Sequence, residues 1–133
     1  TRAARESRGL GDVYTRQLWT LPAGFLERAE TSAEGAARET WEEAQARVMI
    51  HGLYTIFDLP HISQIYMFYR SELVGTDFAA GEESLDVKLF GEADIPWGEL
   101  AFPVVQRTLE HYFSDRSVGE YPVRTETIHR PKR

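Results

Sequence analysis

The chain has 133 residues, enough for one domain with a real core and too few for two ordinary ones. Fifteen Lys and Arg against 21 Asp and Glu leave a net charge of −6, a field that repels phosphate backbones and anionic lipid, so neither nucleic acid nor a membrane surface is expected as a partner. The absence of cysteine excludes a disulfide framework, a thiol nucleophile and a thiolate zinc site, and no run approaches the roughly 20 apolar residues of a membrane span. A soluble, cytoplasmic protein is the expectation.

Residues 1–17 are polar and Arg-rich with scattered apolar positions, and they read as a weakly structured arm; the start at Thr1 suggests a chain cut from something longer. The domain proper is expected over 18–117, followed by a tail over 118–133. Leu18 to Leu21 reads as a short edge strand closed by Pro22-Ala23-Gly24. Thr31 followed by Glu34 matches a capping box, and Ala33, Ala36, Ala37, Thr40, Trp41 and Ala44 recur at helical spacing, which predicts a helix over 32–45. Val48 to Phe57 is rich in β-branched and aromatic types, predicting a strand with a bulge at Gly52. Between His61 and Val74 the residues alternate, with Gln64, Tyr66, Phe68 and Arg70 on one parity and Ile65, Met67 and Tyr69 on the other. That pattern predicts a second strand with one face deeply buried, joined to the first as a hairpin through Leu59-Pro60. Leu85 to Phe90 reads as a short strand, Asp94-Ile95-Pro96 as a turn, and Val104 to Phe113 as a second helix turning Val105, Leu109 and Tyr112 inward. Beyond Ser117 the chain is expected to fray. Such interleaving, with an antiparallel pair, favours an α+β or mixed-sheet sandwich over a doubly wound parallel sheet.

The first helix carries the chemistry. Glu39, Glu42 and Glu43 stand at i, i+3 and i+4, so one helix face bears three carboxylates. Like charges at this spacing cost about 0.2 to 0.5 kcal/mol per pair, and the carboxylates lie towards the negative end of the helix dipole, so something cationic must offset them. One reading supplies side chains, pairing Glu34 with Arg38, Arg38 with Glu42 and Glu43 with Arg47 on a solvated face. The other supplies a hard divalent cation such as Mg²⁺, held by carboxylate oxygens against substrate phosphates.

Gly24, five residues, Glu30, seven residues, then Arg38-Glu39-x-x-Glu42-Glu43, preceded by Leu21-Pro22-Ala23-Gly24-Phe25, resembles the Nudix box of the Nudix hydrolase superfamily. The resemblance implies a loop–helix–loop set against a mixed β-sheet in an α/β/α sandwich. It also implies Mg²⁺- or Mn²⁺-assisted attack of water on a diphosphate joining a nucleoside to another group. By position, Glu39, Glu42 and Glu43 resemble the metal-binding carboxylates, Glu42 also acting in catalysis, and the carbonyl of Ala23 or Gly24 resembles a backbone ligand. Arg38 resembles the arginine that orients a box glutamate, and Glu30 the acid that braces it from behind. The loop Gly81-Glu82-Glu83-Ser84-Leu85-Asp86-Val87 resembles one that supplies a general base, with Glu83 the first choice and Glu82 the second; the alternative is a plain acidic turn. Gln45 stands where the box has glycine. A left-handed closure there would cost about 1 kcal/mol for its Cβ, so the helix is expected to end differently.

The similarity continues through Asp58 to Tyr66, Glu83 to Phe90, Ile95-Pro96-Trp97 and Leu100-Ala101-Phe102, and resembles a branch that includes ADP-ribose and FAD pyrophosphatases, which release AMP. Trp19, Phe25 and Tyr66 are candidates to stack a base or flavin, and His61 and Gln64 to bond ribose or phosphate; for each aromatic the competing reading is pure core packing. Family members carry strands ahead of the position of Trp19, and residues 1–17 do not read as strands. The N-terminal strands are therefore expected to be missing, leaving a fragment, a homodimer that lends a strand, or a weakly active chain with its box intact. A non-catalytic nucleotide-binding or regulatory domain is the alternative function, and the intact acidic triad argues against it.

Overall fold

A computed structural model describes residues 2–7, 18–82 and 84–129, the first segment through its backbone. The strands are β1 (Arg2–Ser7), β2 (Leu18–Thr20), β3 (Val48–Leu59), β4 (Gln64–Leu73), β5 (Asp86–Phe90) and β6 (Arg124–Thr127). Helix α1 (Ser32–Ala44) lies between β2 and β3, and α2 (Pro103–Val118) between β5 and β6. Two three-stranded sheets result: β2-β1-β5, antiparallel throughout, and β4-β3-β6, in which β3 runs antiparallel to β4 and parallel to β6. The β3–β4 hairpin turns through a 3-10 segment at 60–62, and its register shifts at Gly52, the expected bulge.

Residues 2–7 of the N-terminal arm are not unstructured. They form the middle strand of the first sheet, with Arg5 opposite both Thr20 and Val87. A strand paired on both edges draws its stability from ladder hydrogen bonds on either side, so its own apolar pattern need not announce it. The strand that a homodimer was invoked to lend is thus supplied from within the chain.

Helix α1 starts as its sequence directs. The Glu34 amide donates to the Thr31 hydroxyl at 3.1 Å and the Thr31 amide to the Glu34 carboxylate at 2.9 Å, satisfying two otherwise orphaned donors. Its end corrects the expectation: Gln45 does take the left-handed conformation (φ 46°), its amide bonding the Trp41 carbonyl at 2.8 Å. The reversal carries the chain from buried Ala44 to buried Ala46, which pack with Val87, and this burial offsets the strain of a Cβ at that position.

The main core joins Leu21 and Phe57 to Val104, Val105, Leu109 and Phe113 of α2. Beside it Tyr54 and Thr55 of β3 are almost fully buried; the Tyr54 hydroxyl donates to Asp115, and the Thr55 and Thr108 hydroxyls lie 2.9 Å apart. Helix α2 runs past its predicted end to Val118 and closes at Gly119, whose φ of 86° suits a residue without a Cβ. Through its described residues, up to 129, the tail expected to fray is instead anchored. Arg124 forks onto Asp115, holding that carboxyl below the usual range, Tyr121 stacks on Tyr112 at 5.7 Å, and β6 pairs with β3. Strand β4 alternates as predicted without a deeply buried face: none of its residues is fully buried, and Ile65 is 66% exposed. It is the edge of its sheet and borders an open cleft, so neither parity is sealed.

Candidate functional site

From Leu21 the chain leaves the core and crosses the outer face of α1 as an exposed loop. Arg38, in the middle of that helix, ties the loop down. Its Nη2 donates to the Phe25 carbonyl at 3.0 Å, and Nε and Nη2 fork onto Glu30, each reaching 2.8 Å. Nη1 reaches Glu39 at 2.7 Å, Glu42 at 3.1 Å and Glu27 at 3.4 Å. One guanidinium therefore meets four carboxylates, and three negative charges remain uncompensated within the group. Glu30 is held down to about 2, chiefly by the Arg38 hydrogen bonds and then by the Glu27 amide. The same bonds raise Arg38 further above its already high value. Arg38 thus grips Glu39 from one side while Glu30 holds its guanidinium from the other.

Gly24 is required by contact. A Cβ there would stand 2.3 Å from the Glu39 carboxyl carbon, so only glycine lets the carboxylate lie against the backbone. Glu43 reaches the same loop one residue earlier and accepts the Ala23 amide at 2.8 Å. Ala23 thus meets the box through its N–H. Among the described residues no three carboxylate or imidazole groups converge on a point that would hold a metal; the positive charge between Glu39 and Glu42 is the Arg38 Nη1. The donors are nevertheless hard oxygens, in excess over cations and partly exposed, which fits Mg²⁺ or Mn²⁺ by chemistry.

Beside this group opens a cleft of about 590 Å³, between the 22–26 loop, α1, β4 and the start of α2. Glu39 and Gly24 reach it from the acidic side, and Phe25, Gln64, Tyr66 and Phe102 form its other walls. Three of the candidate substrate residues, Phe25, Gln64 and Tyr66, are therefore brought together with the box. Two are not. Trp19 packs edge-to-face on Phe90 at 5.0 Å and lines a separate small apolar cavity with Leu100 and Leu109. His61 lies exposed in the 60–62 turn, outside the lining of the cleft. Glu82 is exposed in a loop that crosses the C-terminal end of α1, and Glu83 lies outside the described residues. Sequence reasoning missed Glu27 and Phe102. Glu27 carries no spacing signal beyond lying three residues before Glu30, and Phe102 stood within a segment of the resemblance without being singled out as a wall of the cleft.

A box-bearing helix braced by an arginine, a mixed sheet and an adjacent nucleotide-sized cleft define a class, and the family model of the NUDIX domain matches residues 3–114. The chain belongs to the Nudix family. Its structure is similar to the crystal structure of a NUDIX hydrolase from Nitrosomonas europaea, with a TM-score of 0.87 and 46% identity over 96% of this chain and 71% of that one. It also shares its fold with an ADP-ribose pyrophosphatase from Streptococcus suis 89-1591 (TM-score 0.63, 20% identity, 92% of this chain and 87% of that one). A C. elegans Ap4A hydrolase is similar at a TM-score of 0.65 and 21% identity, over 89% of this chain and 87% of that one. Among curated proteins no sequence match was found. Among the described residues no helix is long and apolar enough to cross a membrane.

Proposed function

We propose that the chain is a divalent-metal-dependent pyrophosphohydrolase that cleaves a diphosphate linking a nucleoside to a second moiety, of the ADP-ribose or FAD kind, with release of AMP. The observation that carries this reading is the excess of carboxylate over guanidinium around Arg38 at the mouth of a cleft of nucleotide size. Glu39, Glu42 and Glu43 would hold Mg²⁺ or Mn²⁺, which when bound neutralises the diphosphate and acidifies a water. Arg38 keeps Glu39 in place through its fork on Glu30 and so spares the site the rotamer freedom of a lone glutamate. Phe25, Tyr66 and Phe102 offer apolar surfaces to accept a planar ring, with the Gln64 amide beside them to bond a base or ribose. Glu83, with Glu82 second, takes the proton from the attacking water. The substrate is a small molecule drawn from the cytoplasmic nucleotide pool.

The test is release of AMP from a panel of ADP-ribose, FAD and related dinucleotides in Mg²⁺, against a Glu42→Gln control. Turnover by the unmodified chain no greater than by the control refutes the proposal. A second reading, a non-catalytic nucleotide-binding domain, draws on the Arg38 Nη1 already spanning Glu39 and Glu42. Calorimetry showing ADP-ribose bound equally with and without Mg²⁺, and recovered intact, would favour it.

A further inference from the structure

The last carbonyls of a helix have no partner within it. In α1 no basic side chain occupies the final turn to meet them. They are met by one short segment of the 74–85 connection. The Ala79 amide donates to the Ala44 carbonyl at 2.8 Å; the Gly81 amide at 3.1 Å and the Ser84 hydroxyl at 2.8 Å both donate to the Glu43 carbonyl. The Ser84 amide also returns to the Gly81 carbonyl at 3.1 Å, closing a four-residue turn with Glu82 in its first central position. Both corners of that turn are thus pinned to one carbonyl, that of the last glutamate of the box. Gly81 is pressed against the preceding peptide so closely that a Cβ would stand 1.9 Å from the Glu42 carbonyl oxygen.

We propose that Ser84 and Gly81 are positioning residues, which hold the turn they bound against the end of α1 and so fix Glu82 relative to the carboxylates of the helix. The inference rests on the pyrophosphohydrolase reading and assigns to it a coupling that neither the box nor the acidic loop contains alone. Ser84 contributes the adjustable bond: among the described residues its hydroxyl is the one side-chain donor in the clamp, and its loss leaves the backbone bonds of Ala79 and Gly81 in place. Removing it loosens the turn without unfolding it. Loss of alignment by a fraction of an ångström to about 1 Å lowers turnover by roughly 10- to 100-fold.

The experiment compares Ser84→Ala, Ser84→Thr and Gly81→Ala with the unmodified chain, on whichever diphosphate the substrate panel identifies. It measures kcat and KM, Mg²⁺ affinity by calorimetry, Tm, and exchange of the Gly81 amide hydrogen. The expected result is a kcat for Ser84→Ala lower by roughly 10- to 100-fold, with KM, Mg²⁺ affinity and Tm held. Gly81 exchange should be faster, kcat should be largely restored in Ser84→Thr, and Gly81→Ala should lose more than Ser84→Ala. An unchanged kcat in Ser84→Ala overturns the inference while leaving the hydrolase reading intact. Loss of kcat in step with Tm or Mg²⁺ affinity, or no rescue by threonine, also overturns it, because a merely structural contact would behave that way. An unmodified chain that turns over nothing on the panel removes the hydrolase reading and this inference with it.

Discussion

Replacing Gly24 by alanine adds one methyl at a point the structure has already filled. The new Cβ would lie 2.3 Å from the Glu39 carboxyl carbon and 2.4 and 2.5 Å from its oxygens, where ordinary contact begins at 3.4 Å. The carboxylate must therefore retreat by about 1 Å, a displacement that costs on the order of 100-fold when it misaligns a reacting group. The retreat also stretches the 2.7 Å bond from Arg38 to Glu39, leaving Arg38 to be held by Glu30, the Phe25 carbonyl, Glu42 and Glu27. The obstacle is the far end of a flexible side chain on a partly exposed face, so the fold yields at little cost and Tm should hold within a few degrees. The assay pairs AMP release with Mg²⁺ titration calorimetry and a melting curve. Turnover and Mg²⁺ affinity should fall together while Tm stays. A Gly24→Ala protein with unaltered turnover and Mg²⁺ affinity would refute the assignment of Glu39 as a ligand positioned by the loop.

Arg38→Lys should lower turnover by about 10- to 100-fold, because an ammonium cannot fork onto Glu30 while reaching Glu39 and the Phe25 carbonyl; steady-state rates within twofold of the original would refute this. Glu30, lowered from 4.5 to about 2 in the folded chain, is protonated first in the unfolded one. Its contribution to stability is therefore complete above pH 4.5 and lost as pH falls towards 2. Denaturation followed by circular dichroism should show a shallower acid limb in Glu30→Gln across that window, and an unchanged slope would count against the Arg38–Glu30 fork. Thr108→Val strips the Thr55 hydroxyl of its buried partner, which costs about 1 to 3 kcal/mol. The measured consequence is a Tm lower by roughly 4 to 12 °C, and a melting point that does not move would show that Thr55 has another partner.

What the sequence disclosed was what local spacing encodes. The capping box of Thr31 and Glu34, the helix to Ala44, the hairpin and its bulge at Gly52, and the box charges all depend on neighbours within a few residues, and all appear where expected. Residue chemistry offered Phe25, Gln64 and Tyr66 as candidates alongside Trp19 and His61, and only the folded chain sorts the three that line the cleft from the two that do not. What was hidden depends on distant partners. β1 has no amphipathic signature because two other strands hold it, and β6 is secured by Asp115 and β3 across the turn at Gly119. The left-handed Gln45 is strained locally and accepted because the chain must turn back to bury Ala46. Trp19 reads as an aromatic near the box, yet its ring is directed to Phe90 by a pairing that only the full sheet reveals.

The placement of β1 has a consequence for how the molecule is assembled. Arg2 lies across from Phe90 and Glu6 across from Asp86, so during synthesis residues 2–7 must wait until residues 86–90 have emerged before their second neighbour exists. The helix that bears the acids and the hairpin beside it draw on nearby contacts and form early, whereas closing so long a loop is slow. Until β1 is inserted between β2 and β5, both flanking strands present bare edges to any other chain in reach.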